Sequence, residues 1–260
     1  MKPRHWLVLA CGLIYFFLML PLLVVFPISL SSAPYMQFPP PGFSWQWYER
    51  YLEDSQWIDA TWRSLQVGTA TAVLALALGV PLAFALVRGR FFGRVMLDRL
   101  AMAPIIVPTI IISVAVYGLF AKLKLIGAWY GLVVAHTVLA LPFVVLVMSA
   151  GLRDFDRALE QAAEGLGASR WQVLRRVTLP ILRPSLVSAG LLAFISSFDE
   201  VVVAIFLSGP NMTLPKKMFD NILMEIDPTI ASVSVMQILL VSVVMVLIGR
   251  FGRGLSGSAR

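Results

Sequence analysis

Two carboxylates stand side by side in an otherwise uncharged run, Asp199 and Glu200 within "SSFDEVVVAIFL", residues 196–207. An acid at bilayer depth costs about 2.5–3.5 kcal/mol, so such a pair must face protein, water or a passing cation rather than lipid. Being adjacent, the two acids do not converge as the carboxyls of a hydrolytic dyad do when they come from separate helices. Phe198 beside them can offer a ring face to an amine, although an aromatic in such a run more often packs. His136, alone in its apolar run, can relay protons or line a path; a neutral, hydrogen-bonded ring is the simpler expectation. Nothing else has the spacing of a reactive centre. There is no H-E-x-x-H, G-x-S-x-G or G-x-x-x-x-G-K-[ST], and Cys11 is the single cysteine. The chain is not expected to catalyse a reaction or to carry a cofactor or metal.

The elements that must position these residues are apolar. Of 260 residues, 59% are hydrophobic and 13% charged, about half the charge of a soluble domain. Six stretches reach the length of about 20 residues that a bilayer demands: about 6–30, 64–87, 100–121, 125–152, 184–207 and 228–249. This predicts an all-α fold, one polytopic membrane domain over 1–260 with six transmembrane helices. Counted from Pro184, Asp199 and Glu200 lie roughly 22–24 Å along a helix, and adjacent residues point about 100° apart, so only one is expected to face a pathway. The net charge of +7 falls in short segments between spans, as membrane topology requires, and does not call for nucleic acid. Six of the 21 basic residues (Arg50, Arg63, Lys122, Lys124, Lys216 and Lys217) lie on one side, and the other 15 on the side shared by both termini. That bias puts both termini in the cytoplasm, and an odd number of spans would spoil it.

The flanks are less informative. "VLAC" at residues 8–11 looks like a lipoprotein box and "SSA" at 31–33 like a signal-peptidase site. The first is too close to the start of its apolar run and the second follows too long a run, which favours a retained helix. "SSAPYMQFPPPGFSWQWYERYLED" after the first span predicts extended prolines and a short aromatic helix anchored at the headgroups. Lys216, Lys217, Asp220, Glu225 and Asp227 form a last outside loop, either a rim for a partner or simply solvated. The tail "GRFGRGLSGSAR" is expected to be disordered.

One polar segment, 153–183, interrupts the apolar pattern. Phe155, Ala158, Leu159, Ala162, Ala163 and Leu166 recur at helical spacing, and Gly165 and Gly167 end that helix. Ser169 and Gln172 make a capping box for a second short helix bearing Trp171, Leu174 and Val177. Pro180 and Pro184 are expected to close the segment. Small residues let another backbone approach closely, so the unit reads as a cytoplasmic knob seated in a partner's cleft. A helix pair lying on the membrane would need a wider apolar stripe.

The segment resembles the "EAA" signature of permease subunits of ATP-binding-cassette importers, E-A-A-x-x-x-G, nine residues, then I-x-L-P. Here Gln161, Ala162, Ala163, Gly167, Val177, Leu179 and Pro180 match every gap, with Gln161 for the Glu, Val177 for the Ile, and Glu160 and Glu164 alongside. "GFSWQWYERYL" and "SSFDEVVVAIFLSGPNMTLPKKMF" are similar to the branch serving polyamines, opines and phosphonates, above all to spermidine/putrescine permeases. The resemblance implies a multi-pass subunit in the lipid of a bacterial inner membrane. Its partners would be a second permease, two cytoplasmic ATPases on the knobs and an external solute-binding protein. Within that branch the position of Asp199 is usually Asp, which makes it the first candidate on the path of a cationic solute. Two other uses of the pair stay open: a tie to the partner permease, or wetted acids beyond a span that ends early. An intramembrane hydrolase lacks its reactive groups here. A secondary transporter commonly shows an internal repeat, and none is evident.

Overall fold

With no water in the bilayer core, a spanning backbone must satisfy its polar groups within its own segment. In the computed structural model, which describes residues 3–224 and 226–253, the elements are helical, apart from one isolated bridge between Ser31 and Phe43. The expectations for Lys2, Glu225, Arg260 and residues 254–260 of the tail lie outside the described residues. The helices are α1 (Pro3–Ser29), α2 (Gln46–Glu53), α3 (Ser55–Arg88), α4 (Arg94–Ile106), α5 (Thr109–Leu123), α6 (Trp129–Asp154) and α7 (Ala158–Gly165). Next come α8 (Arg170–Val173), a π-helical turn (Leu174–Thr178), α9 (Leu179–Ile181), α10 (Arg183–Phe198), α11 (Val202–Leu207), α12 (Leu214–Met224) and α13 (Thr229–Arg253).

Four helices are long and apolar enough to cross alone, Trp6–Ser29, Ser55–Arg88, Trp129–Asp154 and Thr229–Val246; two bent pairs raise the possible crossings to six. The upper count agrees with the six expected spans, two of which are broken. The run 100–121 is split between α4 and α5, which meet at 105°. Proline disfavours the α conformation in the residue before it, and Val107, preceding Pro108, is extended at φ −80°, ψ 129°. The run 184–207 is likewise divided, into α10 and α11, by Asp199–Val201. At its other end α10 turns by 69° from the helices over 170–181. The start of α3 at Ser55 rather than Ser64 gives 34 residues, about 51 Å of helix. That exceeds an about 30 Å core, so one end stands clear of hydrocarbon.

The chain divides into two compact units. In Met1–Asp59 with Lys217–Val243, the short aromatic helix is present as α2. Trp47 and Tyr51 are buried, so these two rings pack within the protein instead of anchoring at headgroups. Trp47 Nε1 donates to the Ser31 carbonyl at 2.7 Å, and Arg50 reaches Asp227 at 3.6 Å. Asp227 also accepts the Thr229 N–H at 2.7 Å, at the start of α13. Lys217 Nζ donates to Gln56 at 2.6 Å and lies over the Trp57 ring. The last outside loop is thus corrected to a helix, α12, over Leu214–Met224.

The second unit is Ala60–Lys216 with Val244–Arg260. Alanines fill its centre: Ala75 and Ala83 of α3, Ala140 of α6, and Ala189 and Ala193 of α10 are fully buried. Small side chains allow helix axes to approach closely. A Cβ at Gly79 would stand 2.6 Å from Val144, so α3 and α6 touch where that glycine lies. A second cluster, including Val67, Phe120, Leu132 and Leu207, joins α3, α5, α6 and α11.

Candidate functional site

The polar segment is built by local caps. After α6, Asp156 Oδ1 accepts the Ala158 N–H at 2.9 Å and starts α7. The helix ends at Gly165, and Gly167 has φ +88°, a left-handed conformation that glycine adopts without steric cost. The capping box forms: the Ser169 N–H donates to Gln172 Oε1 at 2.8 Å, and the Gln172 N–H donates to Ser169 Oγ at 3.4 Å. The segment closes at Leu182, between Pro180 and Pro184, where the helices over 170–181 give way to α10 at 69°. A proline ring inside a helix crowds the carbonyl four residues earlier, and the π turn over Leu174–Thr178 widens the helix there. Pro184 falls in the first turn of α10.

The signature residues divide between two sides of this segment. Gln161, Ala162, Gly167 and the neighbouring Glu164 and Gly165 are exposed; Ala163 is half-buried. Leu166 is 91% and Trp171 67% exposed, so the helical stripe that began at the buried Phe155 ends in open apolar side chains. Val177 packs against the alanine-rich core, and Leu179 and Pro180 are half-buried. Glu160 turns inward, where Arg88 Nη1 donates to both its oxygens, at 2.8 and 3.0 Å. The Thr178 hydroxyl donates to the same carboxylate. Neither Arg88 nor Thr178 stands out in the sequence, where Arg88 counts only as a topological charge. No local pattern joins them, since Arg88 and Glu160 are 72 positions apart.

The acidic pair sits at the break between α10 and α11. Asp199 ends α10, while Glu200 Oε1 accepts the Val203 N–H at 3.0 Å in the first turn of α11. An acid at a helix N-terminus is favoured by the partial positive charge there. Because the helix stops after Phe198, the 100° separation does not apply. Both acids, with Phe143, Leu192, Ile195 and Ser196, line one cavity of about 340 Å³. Both acids thus face one space, where a continuous helix would aim them about 100° apart. Phe198 itself is 2% exposed and stacks on Phe194 at 5.4 Å, so its ring belongs to packing and is not among the cavity's lining. His136 is buried, its Nδ1 2.8 Å from Ser197 Oγ, and it does not line the cavity either. Among the described residues no His/Cys/Asp/Glu group could hold a metal.

Comparison with known proteins brings the loop and the cavity into one frame. Residues 75–257 match the family described as "Binding-protein-dependent transport system inner membrane component". The spermidine/putrescine transport system permease protein PotC of Haemophilus influenzae is 31% identical over 90% of this chain and 91% of its own. The putrescine transport system permease protein PotI of Escherichia coli K12 is 34% identical over 86% and 83%. Among solved structures, a chain of a bacterial ABC transporter involved in the import of the acidic polysaccharide alginate superposes with TM-score 0.73. It covers 95% of both chains at 19% identity, a likeness of fold.

Proposed function

Because the chain belongs to the family of binding-protein-dependent transport system inner membrane components, and is thus a permease subunit of an ATP-binding-cassette importer, we propose that it forms half of a translocation pathway for a polyamine-like cation. The observation that carries this choice of solute is the break after Phe198, where Asp199 and Glu200 line one cavity. Two carboxylates beside apolar walls suit a solute with separated ammonium groups and a hydrocarbon chain between them. The names of the two relatives point the same way. Residues 153–183 are the coupling loop. Gln161, Ala162, Ala163 and Gly167 face the ATPase cleft, and Val177, Leu179 and Pro180 root the loop in the membrane unit. A second, related permease completes the pathway, two ATPases drive it, and a binding protein delivers solute from outside. The ATP is hydrolysed by those separate subunits, and both termini of this chain lie in the cytoplasm.

The test is uptake of radiolabelled putrescine and spermidine by the reassembled complex in proteoliposomes. Asp199→Asn should lower uptake about tenfold, the effect of losing about 1.4 kcal/mol of interaction, with the complex still assembled. An unchanged rate rejects Asp199 as a pathway group. An opine or phosphonate that competes better than putrescine would move the solute to another class while leaving the permease architecture in place.

A further inference from the structure

The coupling loop is continuous with α6 and α10, yet its strongest polar contact is with neither. Arg88 is the last residue of α3, and its Nη1 holds both oxygens of Glu160 on α7. The guanidinium lies 5.0 Å from the Phe84 ring and 5.4 Å from the Phe155 ring. Thr178, fully buried in the π turn, donates to the same carboxylate. One side chain thus joins the end of α3, the first helix of the loop and the turn before α9.

The pair is built to stay closed. Its side chains are 21% and 16% exposed, so salt screens it less than a surface pair. Arg88 Nε and Nη2 are buried without a hydrogen-bond partner, and Glu160 is its ion-pair partner among the described residues. Pulling Glu160 away would leave a largely buried cation uncompensated, which is strongly unfavourable. A loop displaced from outside therefore carries Arg88 with it more easily than it lets go.

We propose that Arg88, Glu160 and Thr178 form a latch that makes α3 a third output of the coupling loop, beside α6 and α10. Arg88 and Thr178 are positioning residues: they convert motion of α7 into motion of a helix that the chain connects to it only through α4, α5 and α6. The inference rests on the reading of 153–183 as the ATPase-coupling loop.

The test uses the full chain assembled with its second permease, ATPases and binding protein. With Cys11 replaced by serine, nitroxide labels at Arg90, two residues beyond the end of α3, and at Glu164 on α7 report the separation of these two segments with and without trapped ATP. In the otherwise native protein the distance should stay constant, and in Arg88→Met it should change by more than about 2 Å, the scale of a helix shift. Solute moved per ATP hydrolysed should fall at least about fivefold in Arg88→Met, the lower range of a coupling between sites, and less in Thr178→Val. The charge swap Arg88→Glu with Glu160→Arg should recover more transport than either single change. Constant distance in Arg88→Met, or an unaltered transport ratio in a folded, ATPase-bound variant, overturns the latch. If Arg88→Met does not fold, Thr178→Val, which removes one hydroxyl, takes its place, and an unaltered distance and ratio there overturn the latch equally. Failure of any ATPase to co-purify with the native chain overturns the coupling-loop reading instead, and the label distance keeps the two failures apart.

Discussion

Gly165 and Gly167 flank the exposed Leu166, but their backbones differ. Gly167 has φ +88°, whereas Gly165 ends α7 in ordinary helical conformation, and a Cβ at either would meet nothing within 4 Å. Any other residue at 167 costs about 1–2 kcal/mol from the left-handed backbone besides intruding on a partner. Leucine at 165 meets neither obstacle within the chain. Gly165→Leu should therefore leave the melting temperature of the purified subunit unchanged while reducing ATPase co-purification, and Gly167→Leu should lower both. Full ATPase retention by Gly165→Leu would mean that this face is not the docking face. At this scale the sequence is readable wherever the interaction is local. The capping box of Ser169 and Gln172 and the turn at Gly167 depend on neighbours a few positions away, and both form. Arg88 with Glu160 depends on helix packing, which residue types do not disclose, whereas Phe198 on Phe194 is a local pair four positions apart on α10, in keeping with packing as the commoner use of such a ring.

Between residues and the whole lies the helix break, and Glu200 has two roles there. Its carboxylate caps α11 through the Val203 N–H and also lines the acidic cavity. Glu200→Gln keeps an oxygen acceptor and removes the charge; Glu200→Ala removes both. Losing a cap costs typically about 1 kcal/mol, so Glu200→Ala should melt at a lower Tm than Glu200→Gln while both reduce polyamine uptake. Equal stability of the two variants would show that the cap contributes nothing. The breaks are the least legible part of the fold. Pro21, Pro27, Pro81 and Pro142 all lie inside continuous helices, whereas Val107–Pro108 bends the chain by 105°. A proline permits either outcome, and the neighbours that re-satisfy freed backbone groups are invisible along a single stretch of sequence.

Over the whole molecule, the side on which each loop lies decides whether the assembly is possible. Three contacts within the second unit join segments that the charge bias assigns to the same side. Arg88 meets Glu160, both assigned inside. The Gly127 N–H donates to the Leu207 carbonyl at 2.8 Å, and Asn211 donates to the Gly127 carbonyl at 3.0 Å, across two turns assigned outside. A reporter active only in the cytoplasm, inserted at Glu164, should be active, and the same reporter at Asn211 should be silent. The reverse result would carry the knob away from any cytoplasmic ATPase. The apolar length of the spans is legible because lipid imposes it on composition directly; the division into two units arises from contacts that composition does not encode. The first helix depends on such contacts least. None of its most apolar window, within Trp6–Ser29, is buried by the rest of the chain. A helix so bare draws its surroundings from lipid or from another subunit rather than from the described residues of its own chain. Its whole circumference is thus open to whichever neighbour meets it.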